Sequence, residues 1–562
     1  MGNVGKQVLV LLIAGIGATE YAQAFTFENE SGSVKGSFDS TITFGTGIRA
    51  KNPGCDTVIG SVFGHPAQAG NGGPAGCLDM ASGYNDQGNL NYKKGDAFTT
   101  YLKGTHELLL KLPDSYTVMA RANWLKDFTA THTTGYTSAV GSEGSFAGNS
   151  ESQLNFKARL LDFWVSKSFD LNGEQARIRA GNQVVSWGES LFLPGGINQT
   201  NAMDIQRLSQ PGTQMKEAML PAPIIDFATG LGGGFNLEAY VQTNWNANYM
   251  PPIGSYWSFA TIGNGAEAYA AAAGGNVPTG SKPRSTGQYG IALRYKPKDL
   301  NANFGLYAMQ YHDKSPSIQI NSAGAAQYTY LEDRLLFGAS TNFSLGDWAI
   351  GAELSYRPRD AVALNLLNSA GMLGCPDNKC YVDEKKYQLN VTGILSMTPG
   401  DYGGILKALG NADTATLLAE VAVVKYPGLQ SSYRGNSVAA GNWGWLLTGD
   451  QVVNANFVPP SVGSSTAWGY SLDFSWTYDG KLIPGWQVTP EIYYSQAVNG
   501  RTPNGWGQLM QGAKSANFIV TFTQNPANWA IGVNYAKFWG GSVFDQPMRD
   551  KDFFGAYISR NF

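Results

Sequence analysis

The sequence predicts an all-β fold, a single transmembrane antiparallel β-barrel of about 18 strands (roughly 16–20), delivered by a cleaved targeting segment. Three observations predict it. Apolar and polar residues alternate strictly over stretches longer than the strands of soluble sheets. The connections between those stretches alternate long and short. The composition is aromatic and glycine-rich yet weakly charged, with 14% charged residues, 12% aromatics and 70 glycines in 562 residues.

Mean hydropathy is -0.20. A helical span needs about 20 consecutive apolar residues, and no stretch supplies them. The net charge of -3 gives no electrostatic case for nucleic acid. Residues 1–24 read as a signal peptide. Lys6 is the basic start, Val8 to Ala14 the apolar stretch, and Ala22-Gln23-Ala24 the cleavage site, leaving Phe25 first in the mature chain. Residues 25–562 are then one barrel. The first strand begins so soon after Phe25 that no energy-coupled plug domain is expected before it.

That strand sets the pattern. Val34, Gly36, Phe38, Ser40, Ile42, Phe44, Thr46 and Ile48 alternate with Lys35, Ser37, Asp39, Thr41, Thr43, Gly45, Gly47 and Arg49. One face suits lipid and the other water, over the length that crosses a bilayer at a tilt. Similar alternation places strands at 33–50, 97–111, 115–127, 154–169, 175–187, 223–231, 235–246, 285–296 and 301–312. It continues at 329–344, 347–357, 385–398, 413–426, 465–479, 486–498, 513–524, 528–538 and 551–562. Leu112-Pro113-Asp114, Gly232-Gly233-Gly234 and Leu345-Gly346 are tight turns, whereas 51–96, 247–284 and 427–464 are long connections. Short periplasmic turns and long outer loops follow this rhythm. Residues 399–412 break it, being long where a short turn is due, with a helical turn at Ile405 to Ala408. The terminal Phe562, with Phe554, Ala556 and Ile558 behind it, resembles a barrel-insertion signal, although Arg560 departs from it.

Cys55, Cys77, Cys375 and Cys380 all fall in loops. Four cysteines allow three pairings, of which nearest neighbours is the simplest in an oxidising compartment. Neither pair has zinc-type spacing.

Several runs carry a family resemblance. Asn89-Leu90-Asn91-Tyr92-Lys93-Lys94-Gly95-Asp96 precedes the second strand, and Ala158-Arg159-Leu160-Leu161-Asp162 lies in the fourth. Gly181-Asn182-Gln183-Val184-Val185-Ser186-Trp187-Gly188-Glu189-Ser190 leads into Pro194-Gly195-Gly196-Ile197-Asn198, then Lys216-Glu217-Ala218-Met219-Leu220-Pro221. These runs resemble domain-of-unknown-function family 1302 of proteobacterial outer-membrane proteins. The resemblance implies an outer-membrane barrel that moves hydrophobic or amphipathic compounds. It also implies a lipoprotein-carrier-like periplasmic partner and an exporter-type inner-membrane permease.

Segment 188–222 is the first candidate site. Leu191, Phe192, Leu193, Ile197, Met203, Ile205, Leu208, Met215 and Met219 interleave with Glu189, Asn198, Asp204, Arg207, Lys216 and Glu217, just after Trp187. A solvated loop gains nothing from so many apolar groups, so the segment is expected to fold into the barrel as a constriction or plug. The alternative is a loop packed over the rim or against a partner.

The second candidate is a basic inner wall. The lumen faces of the first five strands carry Lys35, Arg49, Lys103, Lys111, Arg121, Lys157, Arg159, Arg177 and Arg179, against only Asp39 and Glu107. Such ladders set anion preference in pores. Alternatively, Glu353, Asp473 and Glu491 offset them across the lumen, and Asp162 already breaks the fourth strand's pattern.

Enzymatic readings find little support. His65, His106, His132 and His312 are the only histidines, and no nucleophile elbow, zinc-hydrolase motif or phosphate cradle is present. No cofactor or metal is implied. The expectation is a channel for amphipathic, anionic or lipid-like small molecules in contact with outer-membrane lipid. The alternative is a receptor or scaffold barrel whose long loops bind a ligand.

Overall fold

The structure is a computed structural model describing residues 25–57, 87–133, 146, 150–252, 254–258, 281–320, 326–365, 375, 377, 379–440, 451–453, 456–458, 462–504, 508–542, 545, 546 and 548–562. The signal-peptide reading, Cys77 and most of the loop beside it lie outside the described residues.

The barrel strands are β1 (Lys35–Arg49), β2 (Ala97–Leu112), β3 (Tyr116–Asp127), β4 (Phe156–Leu171), β5 (Glu174–Gln183) and β6 (Ala222–Gly232). Next come β7 (Phe235–Gln242), β8 (Gln288–Tyr295), β9 (Ala302–Tyr311), β10 (Arg334–Leu345), β11 (Trp348–Ala363) and β12 (Tyr381–Met397). The last six are β13 (Thr414–Lys425), β14 (Thr466–Ile483), β15 (Trp486–Asn499), β16 (Lys514–Gln524), β17 (Trp529–Trp539) and β18 (Phe553–Asn561). Of the 19 strands in the sheet, one is the short arm Phe25–Glu28, which pairs antiparallel with the start of β1; the other 18 form the ring. Each strand pairs antiparallel with its neighbours in sequence, and β18 closes on β1 from Asn561 opposite Thr41 to Phe553 opposite Arg49. A closed ring leaves no edge, which is what a sheet in hydrocarbon requires.

Outward positions are apolar and open: Phe163, Ile225, Leu306, Phe337, Leu354, Val533 and Phe554 are each more than 40% exposed. No described helix is long and apolar enough to cross a membrane. An apolar exterior, polar inward faces and tight turns at one end make this a bacterial outer-membrane barrel. Gly232, Gly233 and Gly234 all take positive φ (76°, 61° and 91°), which a non-glycine backbone adopts only at a cost. They join β6 to β7 with no intervening loop.

Two irregularities explain where the sequence pattern falters. A β-bulge in the β3–β4 pairing sets Ala122 opposite Leu160 but Ala120 opposite Phe163. Bulges shift the side-chain alternation, so Asp162 is buried rather than turned to lipid and bonds Arg121 at 2.7 Å. The long 399–412 connection is filled by a helix, Pro399–Ala408, longer than the turn expected there. It buries Leu406 against Leu395, Met397, Ala412 and Ala415.

Cys375 and Cys380 are disulfide-bonded with Cα atoms 5.1 Å apart. Cys55 is also in a disulfide.

Candidate functional site in segment 188–222

After Gln183 the chain leaves the β5–β6 wall, so Trp187 lies outside the strand that the alternation alone would extend to it. Asn201 fixes the departure, accepting from Val185 N at 3.0 Å and donating to Val185 O at 2.6 Å. Val185, Trp187 and Ile197 then pack in one apolar cluster with Ile224, Tyr240, Tyr307, Met309 and Leu336 of β6, β7, β9 and β10. Trp187 Nε1 donates to Glu238 Oε2 at 2.9 Å. Two wall glycines make the room. A Cβ on Gly290 would meet Tyr240 and Trp187 within 3 Å, and one on Gly338 would meet Ile197 at 2.7 Å.

Residues 189–197 wrap around two carboxylates from the wall. Glu353 on β11 accepts from the backbone N–H groups of Glu189 (2.6 Å), Ser190 (3.3 Å) and Ile197 (2.9 Å). Glu420 on β13 accepts from those of Leu191 (3.2 Å), Phe192 (2.5 Å) and Leu193 (3.0 Å), and from Asn390 Nδ2 at 2.7 Å. Both carboxylates are almost fully buried. No salt bridge to either occurs among the described residues; backbone dipoles balance the charge instead. Arg357 Nη2 completes the clasp by donating to Gly195 O (2.7 Å) and Gly196 O (3.0 Å). Phe192 meets Tyr493 of β15 with ring centroids 5.5 Å apart.

The second half of the segment reaches the far wall. Asp204 caps a helical turn at Ile205–Leu208, accepting from Arg207 N at 2.7 Å, and pairs with Arg159 of β4. Glu217 pairs with Lys103 of β2 and accepts from Thr105 Oγ1 at 2.8 Å, while Lys216 pairs with Glu107. Lys103 Nζ also donates to Gly212 O at 2.9 Å, and Tyr101 donates to Pro211 O. β2 and β11 lie nine strands apart in a ring of 18, half a turn. One connection is therefore bonded to opposite walls.

The remaining expected segment residues are placed as follows. Glu189 Oε1 accepts from Asn342 Nδ2 at 3.0 Å, and Asn198 Oδ1 from Asn201 Nδ2 at 3.0 Å. Arg207 is buried, with Nη1 unpartnered. Leu191, Leu208 and Met215 stay 41%, 40% and 51% exposed, so not every apolar group of the segment is covered.

The basic positions are bonded locally. Arg49 pairs with Asp550 at 3.3 Å, Arg121 with Asp162 and Glu107, Arg177 with Asp226 at 3.1 Å, and Lys35 with Glu28 at 3.3 Å near the short-turn end. Arg179 reaches Val184 O at 3.5 Å and lies over Trp164, and Lys157 lies against Tyr249. Lys111 is exposed. The partners differ from the acids expected across the lumen. Glu353 is occupied by backbone N–H groups, and neither Asp473 nor Glu491 forms a salt bridge among the described residues. Arg177 and Arg294 remain 40% and 37% exposed, and with Lys296 they line a cavity of about 550 Å³ toward the short turns.

The sequence model of the family described as "Protein of unknown function (DUF1302)" matches residues 6–562. The chain belongs to that family. No curated protein matches it. Among solved structures, this family member is similar to OccAB1 of Acinetobacter baumannii at 10% identity, over 97% of this chain and 99% of that one, with a TM-score of 0.42. It is also similar to Pseudomonas aeruginosa OpdK with vanillate (11%, 94% and 98%, TM-score 0.40) and to OccK2 of that organism in complex with glucuronate (9%, 94% and 98%, TM-score 0.39).

The Lys103–Glu217 pair gives a local test. Both side chains are 2–3% exposed, and breaking a buried pair costs about 3–5 kcal/mol. Lys103→Met is expected to lower hydrogen-exchange protection at residues 211–218 by that order while the barrel strands keep theirs. Adding Glu217→Gln should recover part of the loss. Equal protection in wild type and Lys103→Met would show that the pair does not hold the segment.

Proposed function

We propose that this DUF1302 protein is an outer-membrane channel for amphipathic small molecules, with residues 188–222 folded inward as its constriction. The observation that carries the reading is the bonding of that one connection to strands half a barrel apart. A ring of about 16–18 strands is wide enough for an aqueous lumen, and a segment tied across it narrows the passage to openings of substrate size. The cavity lining suits an amphipath, since Leu237 and Tyr307 adjoin Glu238, Arg177 and Arg294 there.

Charge preference is expected to be modest and anionic. Most of the basic wall is neutralised by Glu107, Asp162, Asp204, Glu217 and Asp226. Arg177 and Arg294 are paired in turn with Asp226 and Glu238 but stay 40% and 37% exposed, so with Lys296 they are the place an anionic head would be felt. The periplasmic carrier and permease that the family resemblance implies would meet the barrel at its short-turn end.

The test is conductance and reversal potential of refolded protein in a planar bilayer under a salt gradient. The expected result is small currents with a weak anion preference, reduced by Arg177→Gln with Arg294→Gln. A cation-favouring reversal potential would overturn the anionic part. Silence from a correctly folded barrel, including one with the segment deleted, would move the function to its outer loops.

A further inference from the structure

A second cavity, of about 530 Å³, lies between residues 208–213 and β15 to β18. It is polarised along its length. Trp257, Phe538, Met548 and Phe553 belong to an aromatic cluster at the long-connection end of these strands. Further along β15 the lining turns polar, at Glu491 and at Gln210 from the segment.

Three features set this cavity apart from the one at Arg177. No lysine or arginine lines it among the described residues. Glu491 is the single charged residue among the described residues that line it, and Asp473 sits diagonally beside it in the β14–β15 register, with Ser475 opposite Glu491 and Tyr493 opposite Asp473. Gln210 is 8% exposed and its Oε1 has no hydrogen-bond partner among the described residues. A buried amide oxygen left unpaired costs about 1–3 kcal/mol, so a donor group from a guest would satisfy it. A carboxylate, sulfate or phosphate head would meet Glu491 with no counter-charge.

We infer that this cavity is a binding site for an amphipathic molecule whose apolar body lies on Phe538, Met548 and Phe553 and whose head is a hydrogen-bond donor, ammonium or hydroxyl, reaching Glu491 and Gln210. The inference deepens the channel reading by naming a substrate-binding station, departs from its anionic preference (which belongs to the Arg177 cavity), and rests on that reading for the guest's route of entry.

The test is calorimetric binding of three water-soluble probes of one size (phenethylammonium, 2-phenylethanol and phenylacetate) to the detergent-solubilised barrel at pH 8. Phenethylammonium is expected to bind about tenfold more tightly than phenylacetate, the worth of one favourable polar contact, with 2-phenylethanol between them. Glu491→Gln should abolish the advantage of the ammonium while 2-phenylethanol still binds, and Phe538→Ala should weaken all three. Circular dichroism of each variant separates lost binding from lost fold. Phenylacetate binding as tightly as phenethylammonium, an unchanged ranking in Glu491→Gln, or no binding of any probe would each overturn the site. Because binding is read without current, a barrel that ranks the probes as expected yet never conducts would keep the site and overturn the channel.

Discussion

Deleting residues 191–215 is expected to raise single-channel conductance by about three- to tenfold, the difference between a constricted lumen and the open aqueous passage of a ring this size. The barrel should survive the deletion. None of the 18 strand pairings uses a residue between Gln183 and Ala222, so the ladder that holds the wall is untouched. The deletion removes the clasp on Glu420, the Arg357 contacts to Gly195 and Gly196, and the contact of Pro211 and Gly212 with β2 and β18. Because it joins Ser190 to Lys216, the shortened chain can keep either the Glu353 contacts on β11 or the Glu217 pairing with Lys103 on β2, but no longer both. Unchanged conductance in a correctly folded deletion variant would refute the constriction.

Removing the two wall carboxylates should give the second-largest effect. Glu353→Ala with Glu420→Ala leaves six backbone N–H groups of residues 189–197 without their acceptors. Hydrogen bonds to charged groups contribute about 1.5–3 kcal/mol each, and a buried donor left unmade costs about 1–3 kcal/mol. Even with partial rescue by water, several kcal/mol of docking energy is lost, enough to move a closed segment to a mixture of closed and open. The expected record is frequent transitions to a higher conductance, with faster proteolysis at Leu191 to Leu193. Glu353→Gln with Glu420→Gln keeps one acceptor oxygen at each position, so its effect should be smaller. Steady wild-type currents from the double alanine variant would mean that the apolar cluster around Trp187 and Ile197 holds the segment alone.

The strands were legible because a two-residue period is a local property. Each of the 18 expected stretches overlaps a strand of the ring, and the errors sit at ends where local rules compete with contacts. β5 stops at Gln183 rather than running to Trp187, because Trp187 leaves the wall for its pocket against Tyr240 and Tyr307. β11 continues past Arg357 to Ala363 because a register shift after Arg357 lets Asp360 resume pairing opposite Glu384. Asp162 defied the alternation because a bulge is a property of two strands.

The candidate site was legible in part. Interleaved apolar residues singled out segment 188–222, whose bonds to β2 and β11 could not be read from them. Partner choice could not be read from one strand at a time. Glu353 looked like a counter-charge for the basic wall but is spent on three N–H groups of the segment, and Gly290 and Gly338 matter only through the side chains that occupy their missing volume.

The closing seam has a consequence for assembly. Residues 41–49 of β1 pair with residues 553–561 of β18, so the contact that ends the open edge joins positions about as far apart in sequence as the ring contains. Such distant contacts come late and slowly. Until they form, β1 and β18 are both bare edges, each able to recruit a foreign strand in water or to leave several polar groups unpaired in lipid. A sheet with 17 of its 18 pairings made would still carry both bare edges. A lesion at the seam, at Ile42 or Ile558, is therefore expected to lower the yield of assembled barrel far more than an equal lesion mid-sheet at Leu354.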